Sequence, residues 1–455
     1  MKIESQIFRQ YDIRGIAGKD LNEDIAEAIG KAFGTYTAKS GEKKAVVGYD
    51  NRISSESIKT ALIKGITSTG IDVLDCGTII SPALYYSRIL FGTNAGVMVT
   101  ASHNPPEYNG FKLCSIDGGT MYGQQLQDIK EMIEQENYIS GKGIVKKVEI
   151  IESYIEMIAE KIKLSKKLKV VVDCGNGTAS LFAVKLFEKM GCEVIPIFCD
   201  SNPLFPNHFP DPVKAENLKD AKGVVLKNNA DLAIGFDGDG DRLGVVDEKG
   251  NIIWGDQLMI LFWREIMPKH PGAKAIVEVK CSQSLVDEIK KLNGEPLFYK
   301  TGHSLIKAKM KEINAIFTGE MSGHMFFADE YYGFDDALYA AGRLLRILSN
   351  TDKTLSELLS DINKYYSTPE IRVKSSDTEK FEQVEKVRRF FREKGTPMIE
   401  VDGVRAIFKD GWGLVRASNT GPELIVRCED KTQEGLEEII KEMESALGMS
   451  KIIEE

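Results

Sequence analysis

The chain has 455 residues, with 59 Lys and Arg against 68 Asp and Glu, a formal net charge of −9 at pH 7. At about 150 residues per domain, that length predicts roughly three domains. The 42% hydrophobic and 28% charged residues are the composition of an ordinary soluble globular protein. The acidic balance argues against a general binder of nucleic acid or anionic membrane, which needs a basic face. An anionic substrate must then be met by a local cluster of cations. The 7 cysteines include no C-x-x-C pair, which suits reduced thiols and not a disulfide framework or structural zinc site. The first residues carry no apolar signal core, and the longest fully apolar run, Leu258 to Trp263, is far short of a membrane span. A cytoplasmic protein is expected.

Strands alternate with amphipathic helices along most of the chain. Ala45 to Gly48 is a β-branched run, followed by a helical pattern through Ile58, Leu62, Ile63 and Ile66. Ile71 to Cys76 and Ala95 to Val99 read as further strands. The plan repeats with strand Leu168 to Val172, a helix through Leu181, Val184, Leu186 and Phe187, and strands Val194 to Phe198 and Asp231 to Phe236. It repeats again with strand Ala275 to Val279, helix Leu285 to Leu292 and strand Ala315 to Phe317. Such alternation predicts parallel α/β domains. From about Ser367 the pattern changes. Phe381, Val384, Val387 and Phe391 recur at helical spacing, as do Leu436, Ile439, Ile440, Met443 and Leu447. Asp402-Gly403 and Asp410-Gly411 between them are hairpin signals, so this part reads as α+β with an antiparallel sheet. The expected divisions are 1–146, 147–250, 251–366 and 367–455.

Each of the first three segments runs a buried strand into an unusual polar loop, where open α/β sheets bind ligands. Val99 leads into Thr100-Ala101-Ser102-His103-Asn104-Pro105, and Phe236 into Asp237-Gly238-Asp239-Gly240-Asp241-Arg242. Phe317 leads into Thr318-Gly319-Glu320-Met321-Ser322-Gly323-His324. In the second loop, three carboxylates alternate with glycines that permit tight turns. So many carboxylates repel one another without a cation, and hard oxygen ligands suit Mg²⁺, Mn²⁺ or Ca²⁺. An EF-hand would place glycine where Arg242 stands and helices where the flanks read as strands. A divalent-metal site at a strand end is the better reading. Ser102 taken alone reads as a cap or turn residue, and no G-x-S-x-G elbow surrounds it. Gly175-Asn176-Gly177 lacks the third glycine of a dinucleotide site and reads as a structural strand–helix corner.

The three loops occur in one order with Arg416-Ala417-Ser418-Asn419-Thr420-Gly421-Pro422. With Phe8 to Gly15 and Thr301 to Lys307, that set resembles the α-D-phosphohexomutase superfamily, most closely its bacterial phosphomannomutase/phosphoglucomutase branch. The resemblance covers the whole chain. It implies three α/β domains and a smaller C-terminal α+β domain lining a central cleft. It also implies reversible phosphoryl transfer between the 1- and 6-positions of hexose phosphates, through a phosphoserine and a 1,6-bisphosphate. By motif position, Ser102 would be the phosphoserine, with Asp237, Asp239 and Asp241 binding one Mg²⁺ together with a phosphoryl oxygen on Ser102. Glu320 and Ser322 would grip sugar hydroxyls, and Arg416, Ser418, Asn419 and Thr420 the phosphate that does not react. Tyr11 and Lys280 match positions near the substrate.

The residue chemistry agrees with these assignments. Arg14, Lys112 and Arg242 supply positive charge near the transferred group, and Arg416 can fork onto a phosphate. For the general acid and base, His324 comes first, then His303 and Lys112, whereas His103 reads as an orienting or phosphate-binding group. His208 and His270 read as ordinary satisfied or surface residues. A grip on O3 and O4 does not read C2, so both mannose and glucose phosphates are expected. Phosphoglucosamine mutases usually carry Gln where Met321 stands, which leaves that activity as the alternative, ahead of a metal-dependent sugar phosphatase. The usual Gly-Arg-Asp-Gly-Arg is Gly48-Tyr49-Asp50-Asn51-Arg52 here, with Asp50 and Arg52 kept. Expected partners are hexose phosphates only, with no nucleic acid or membrane, for a monomer or weak homo-oligomer.

Overall fold

A computed structural model describes residues 3–419 and 421–452 of the chain. The first sheet orders its strands as Ile13–Ile16, Tyr108–Cys114, Gly96–Val99, Lys44–Tyr49, Asp72–Thr78 and Val145–Lys147. The last four are parallel, and Tyr108–Cys114 is antiparallel to both its neighbours. Helices such as Glu23–Lys39 and Ser55–Thr67 cover it, and Asn22 starts the former by accepting the Ile25 N–H at 3.0 Å. The second sheet runs Ile252–Ile253, Leu243–Asp247, Leu232–Phe236, Lys169–Asp173 and Glu193–Ile197, again with its last three strands parallel. In the third segment, Lys274–Glu278 and Glu295–Tyr299 pair in parallel, while Phe317–Gly319 and Met325–Phe327 pair antiparallel. The C-terminal sheet is antiparallel throughout, with helices Glu379–Glu393 and Gln433–Leu447 supplying apolar faces to its core.

The parallel α/β expectation is therefore met by the central strands and modified at one place in each segment. All three polar loops join antiparallel strands, across residues 100–107, 237–242 and 320–324. A parallel crossover needs a dozen or more residues, and an antiparallel return needs only a few. The consequence is mechanical. Each loop is held at both ends by ladder hydrogen bonds, so its side chains are presented on a stiff support. The apolar run Leu258 to Trp263 lies inside helix Gly255–Ile266, buried in a core shared by the first three segments. No helix among the described residues is long and apolar enough to cross a membrane, and all seven cysteines are free.

Candidate active site

Ser102 lies just past strand Gly96–Val99 with φ +49°, a left-handed conformation that a serine seldom adopts. Buried Arg52 holds the loop in that shape. Its Nη2 donates to the carbonyls of Ser102 and Asn104 at 2.7 and 2.6 Å, and its Nη1 to those of Pro105 and Tyr108 at 2.5 and 3.1 Å. Asp50 in turn accepts from Arg52 Nε at 3.0 Å. The Asp50 and Arg52 retained in the sequence motif are thus the frame of the serine loop.

Ser102 Oγ donates to Asp237 Oδ2 at 2.6 Å and lies 3.1 Å from His103 Nδ1. Asp237, Asp239 and Asp241 are wholly buried on the turn between Leu232–Phe236 and Leu243–Asp247, each with one carboxylate oxygen within 4.8 Å of the others'. Strands on both flanks exclude an EF-hand. The Gly175-Asn176-Gly177 corner buttresses the turn, with Thr178 N–H donating to Gly238 O at 3.0 Å. Burial, and then the charges of Asp241 and Asp239, push the Asp237 carboxyl well above its ordinary range. Lys112 Nζ answers part of this charge, 2.6 Å from Asp239 Oδ2 and bonded also to Asp241 Oδ2. Burial opposes both charged forms, yet the pairing prevails: the Lys112 ammonium is held well above its usual range and Asp239 below its own. In this geometry Lys112 is a buried cation paired with two of the three carboxylates.

On the opposite wall, Arg242 Nε donates to His324 Nε2 at 3.0 Å. His324 Nδ1 lies 3.1 Å from Asp335 Oδ2, and His303 Nδ1 lies 3.4 Å from the same oxygen. The two imidazoles stack with centroids 5.3 Å apart, and Tyr11 stands edge-on to His303 at 5.2 Å. Burial pushes His303 down to about 4, against the pull of Asp335. Burial and the Arg242 and Arg14 charges hold His103 well below the usual histidine range, so both rings are neutral. Lys307 Nζ completes the cluster at 2.8 Å from Asp335 Oδ1.

The remaining walls come from the later segments. Glu320 Oε1 accepts the Gly302 N–H at 2.8 Å, and burial raises its pKa. Lys280 Nζ bonds Glu370 Oε2 at 2.9 Å. Arg416 Nε bonds Asp402 Oδ2 at 2.8 Å and leaves Nη2 buried without a partner. Asn419 Nδ2 donates to Thr301 O at 3.3 Å, and the Ser418 hydroxyl accepts the Gly421 N–H at 3.2 Å. Arg14 is fixed by Asn104 Oδ1 at 2.7 Å and Asp12 Oδ2 at 2.6 Å.

All of these groups meet around one cleft of about 1000 Å³. Tyr11, Arg14, Ser102, His103, Lys112, Asp241 and Arg242 line it from the first two segments. Lys280, His303, Glu320, Ser322, His324, Arg416, Ser418 and Asn419 line it from the last two. Asp237 and Asp239 lie beneath the wall, reached through Ser102 and Lys112. Thr420 lies outside the described residues. His208 is satisfied by Asp173, with Nε2 3.2 Å from both carboxylate oxygens.

The chain matches four family models in succession. They are the phosphoglucomutase/phosphomannomutase alpha/beta/alpha domains I (residues 5–140), II (152–250) and III (254–365), and the C-terminal domain (370–446). The chain belongs to the phosphoglucomutase/phosphomannomutase family. It is 45% identical over 437 residues to a phosphomannomutase/phosphoglucomutase of Pseudomonas aeruginosa, covering 96% of this chain and 94% of the relative. It is 41% identical over 449 residues to a phosphoglucomutase of Neisseria meningitidis, covering 98% and 97%. A crystal structure of a phosphoglucomutase/phosphomannomutase family protein from Burkholderia thailandensis superposes with a TM-score of 0.92 at 39% identity, covering 98% of each chain.

Against this family frame, the sequence reading missed Asp335, which faces His303 and His324. One signal was present. Two aspartates precede the apolar helix Ala337–Ser349, and only one is needed to cap it. Asp336 takes that task, accepting the Tyr339 N–H at 2.9 Å, and Asp335 is left free for the cleft.

Proposed function

We propose that this phosphohexomutase interconverts the 1- and 6-phosphates of mannose and glucose, with phospho-Ser102 donating to the free hydroxyl and recovering the other phosphoryl group from a 1,6-bisphosphate. The observation that carries this reading is the placement of Ser102. Its Oγ is hydrogen-bonded into a buried carboxylate triad, and the cleft it faces also holds Arg416, with an unpartnered guanidinium nitrogen. One end suits a phosphoryl group in transfer, the other a phosphate at rest.

The triad fits a divalent cation. Asp239 Oδ1 and Asp241 Oδ1 are buried without hydrogen-bond partners, and one ammonium does not balance three carboxylates. Mg²⁺ held by Asp237, Asp239, Asp241 and a phosphoryl oxygen on Ser102 would withdraw charge from the transferred group. Arg242 and Arg14 offer guanidinium groups to its remaining oxygens. Once Arg242 turns from His324 to the phosphoryl oxygens, His324 Nε2 takes the proton from the attacking sugar hydroxyl, with Asp335 behind Nδ1, and returns one in the reverse half-reaction. Glu320 and Ser322 bind sugar hydroxyls, while Lys280, Arg416, Ser418 and Asn419 hold the distal phosphate. Because that cradle and grip do not read C2, a bisphosphate turned end for end is accepted as well as the first.

The test is a coupled assay for glucose 1-phosphate to glucose 6-phosphate, primed with glucose 1,6-bisphosphate, alongside the mannose and glucosamine pairs. Ser102→Ala should lose turnover, and equal activity in wild type and variant would end the phosphoserine mechanism. Net release of phosphate without isomerisation would mark a phosphatase instead.

A further inference from the structure

A second cavity of about 700 Å³ shares one helix with the cleft. His303, at the first turn of helix His303–Ile313, lines the cleft, whereas Ser304, Lys307 and Lys311 line the second cavity. Tyr85, Arg88 and Thr120 of the first segment line its other side. The two sides are tied by a hydrogen bond between the Thr120 and Ser304 hydroxyls, 2.6 Å apart.

Arg88 stands out chemically. It is 6% exposed, and no carboxylate lies within 4.0 Å of its guanidinium among the described residues. Its one hydrogen bond is long, 3.5 Å from Nη1 to Gly119 O, and its Nε is buried without a partner. A guanidinium cannot shed its charge; Arg88 feels the charge of Asp117 without a direct ion pair among the described residues, so its buried charge is only partly answered. The hydroxyl of Tyr85, another lining residue, is also buried without a hydrogen-bond partner, and the charges of Asp335 and Lys112 act on it. Lys311 adds an ammonium at the exposed side, donating to the Asp117 carbonyl at 2.6 Å. Two carboxylates share the wall and already accept hydrogen bonds from nearby loops. Glu42 accepts from Thr93 Oγ1 at 3.1 Å and Asn94 N–H at 3.0 Å, and Asp117 accepts from Gly119 N–H at 3.0 Å and from Ser115 Oγ.

We propose that this cavity binds a small metabolite bearing a phosphate or carboxylate group, with Arg88 as its main anchor, Lys311 as a further donor, and Tyr85, Tyr122 and Phe334 as walls. The volume lies within the range of small-molecule sites, about 300–1,000 Å³. Lys307 connects the ligand to turnover. Its ammonium lies 4.6 Å over the Tyr85 ring in the cavity while bonding Asp335, which neighbours His303 and His324 in the cleft. An anion in the cavity draws on the same ammonium, so it changes the catalytic rate without excluding the sugar phosphate.

The test is calorimetric titration of the full-length enzyme with phenylphosphonate and, separately, benzoate, which distinguishes the phosphoryl from the carboxylate source. Both sites attract anions, so wild type should show two binding events for at least one probe. Arg88→Gln should weaken one event by about tenfold or more, the weight of one charge-assisted pair, and Arg416→Gln should weaken the other. This division holds whatever reaction the cleft performs. Lys311→Gln, with a melting curve to show that it folds, provides the same readout if Arg88→Gln does not. In wild type the probe should raise KM through the cleft and also lower kcat through the cavity, and Lys311→Gln should relieve only the fall in kcat. A single event abolished by Arg416→Gln, or binding unchanged by the cavity variants, overturns the proposal.

Discussion

Gly238 is where the carboxylate turn crosses the serine loop, and an alanine there tests whether their spacing governs the reaction. A Cβ at this position falls 2.2 Å from the Ser102 carbonyl oxygen and 3.1 Å from its carbon. The closest comfortable C···O approach is about 3.3 Å, so the loops must part by about 1 Å. Gly238 is not among the positive-φ glycines, which leaves contact as the only cost. Neither side has slack: Ser102 O is held by Arg52, and Gly238 O accepts from Thr178 N–H. Separation therefore lengthens the 2.6 Å Ser102–Asp237 bond beyond hydrogen-bonding reach. A misplacement of about 1 Å at reacting groups costs on the order of 100-fold, while overpacking costs about 1–3 kcal/mol of stability. Gly238→Ala should thus stay folded yet lose about 100-fold in kcat in the primed, dehydrogenase-coupled assay. Gly223→Ala is the control. It sits in helix Lys219–Asn228 with nothing within 4 Å of the added carbon, and should gain up to about 1 kcal/mol with kcat unchanged. Full turnover by Gly238→Ala, or a loss that tracks unfolding alone, would refute the claim that this contact sets the serine against the triad.

Three other outcomes follow from charges. Asp335→Asn removes the carboxylate beside both imidazoles; kcat should fall about 100-fold or more with little change in KM. The acid limb of its pH profile should move to lower pH, and an unshifted limb would show Asp335 to be merely structural. Lys112→Met leaves Asp239 and Asp241 without their ammonium, a loss of about 3–5 kcal/mol for a broken buried pair. Its melting temperature should drop sharply in chelator and recover in part with Mg²⁺, and equal drops in both would argue against metal at the triad. Burial raises Asp336 from its ordinary 3.8 to about 6, although Tyr331, Tyr339 N–H and Tyr154 donate to it. The folded state thus keeps a proton that the unfolded chain releases, so stability falls as pH rises from about 4 to 6, by about 3 kcal/mol at 1.36 kcal/mol per pH unit. Asp336→Asn lacks this dependence, and the wild-type minus variant difference in denaturant midpoints should shrink across that window and stay flat above it.

What was legible in the chain and what was not divides along one physical line. Short β-branched runs, turn glycines and helical spacing are local, so strands such as Lys169–Asp173 and Leu232–Phe236 fall within a residue or two of where the pattern placed them. The polar loops were visible as loops, yet the antiparallel returns after Val99 and Gly319 were not, since only the sheet decides in which direction a strand pairs. The chemistry behaves the same way. Types of group were readable from motifs, whereas the partner that sets each group's state lies far away in sequence. The partners of the Lys112 ammonium, Asp239 and Asp241, lie 127 and 129 positions on. Asp335 had no motif to announce it, and its meeting with His303 and His324 depends on helix Ala337–Ser349 being capped by its neighbour Asp336. Arg88 makes the converse case. A helix arginine reads as surface until the fold buries it beside a cavity, with no direct ion pair among the described residues. Buried charge is thus where structure adds most to sequence, because its cost is invisible until the counter-charge is found, or found to be missing.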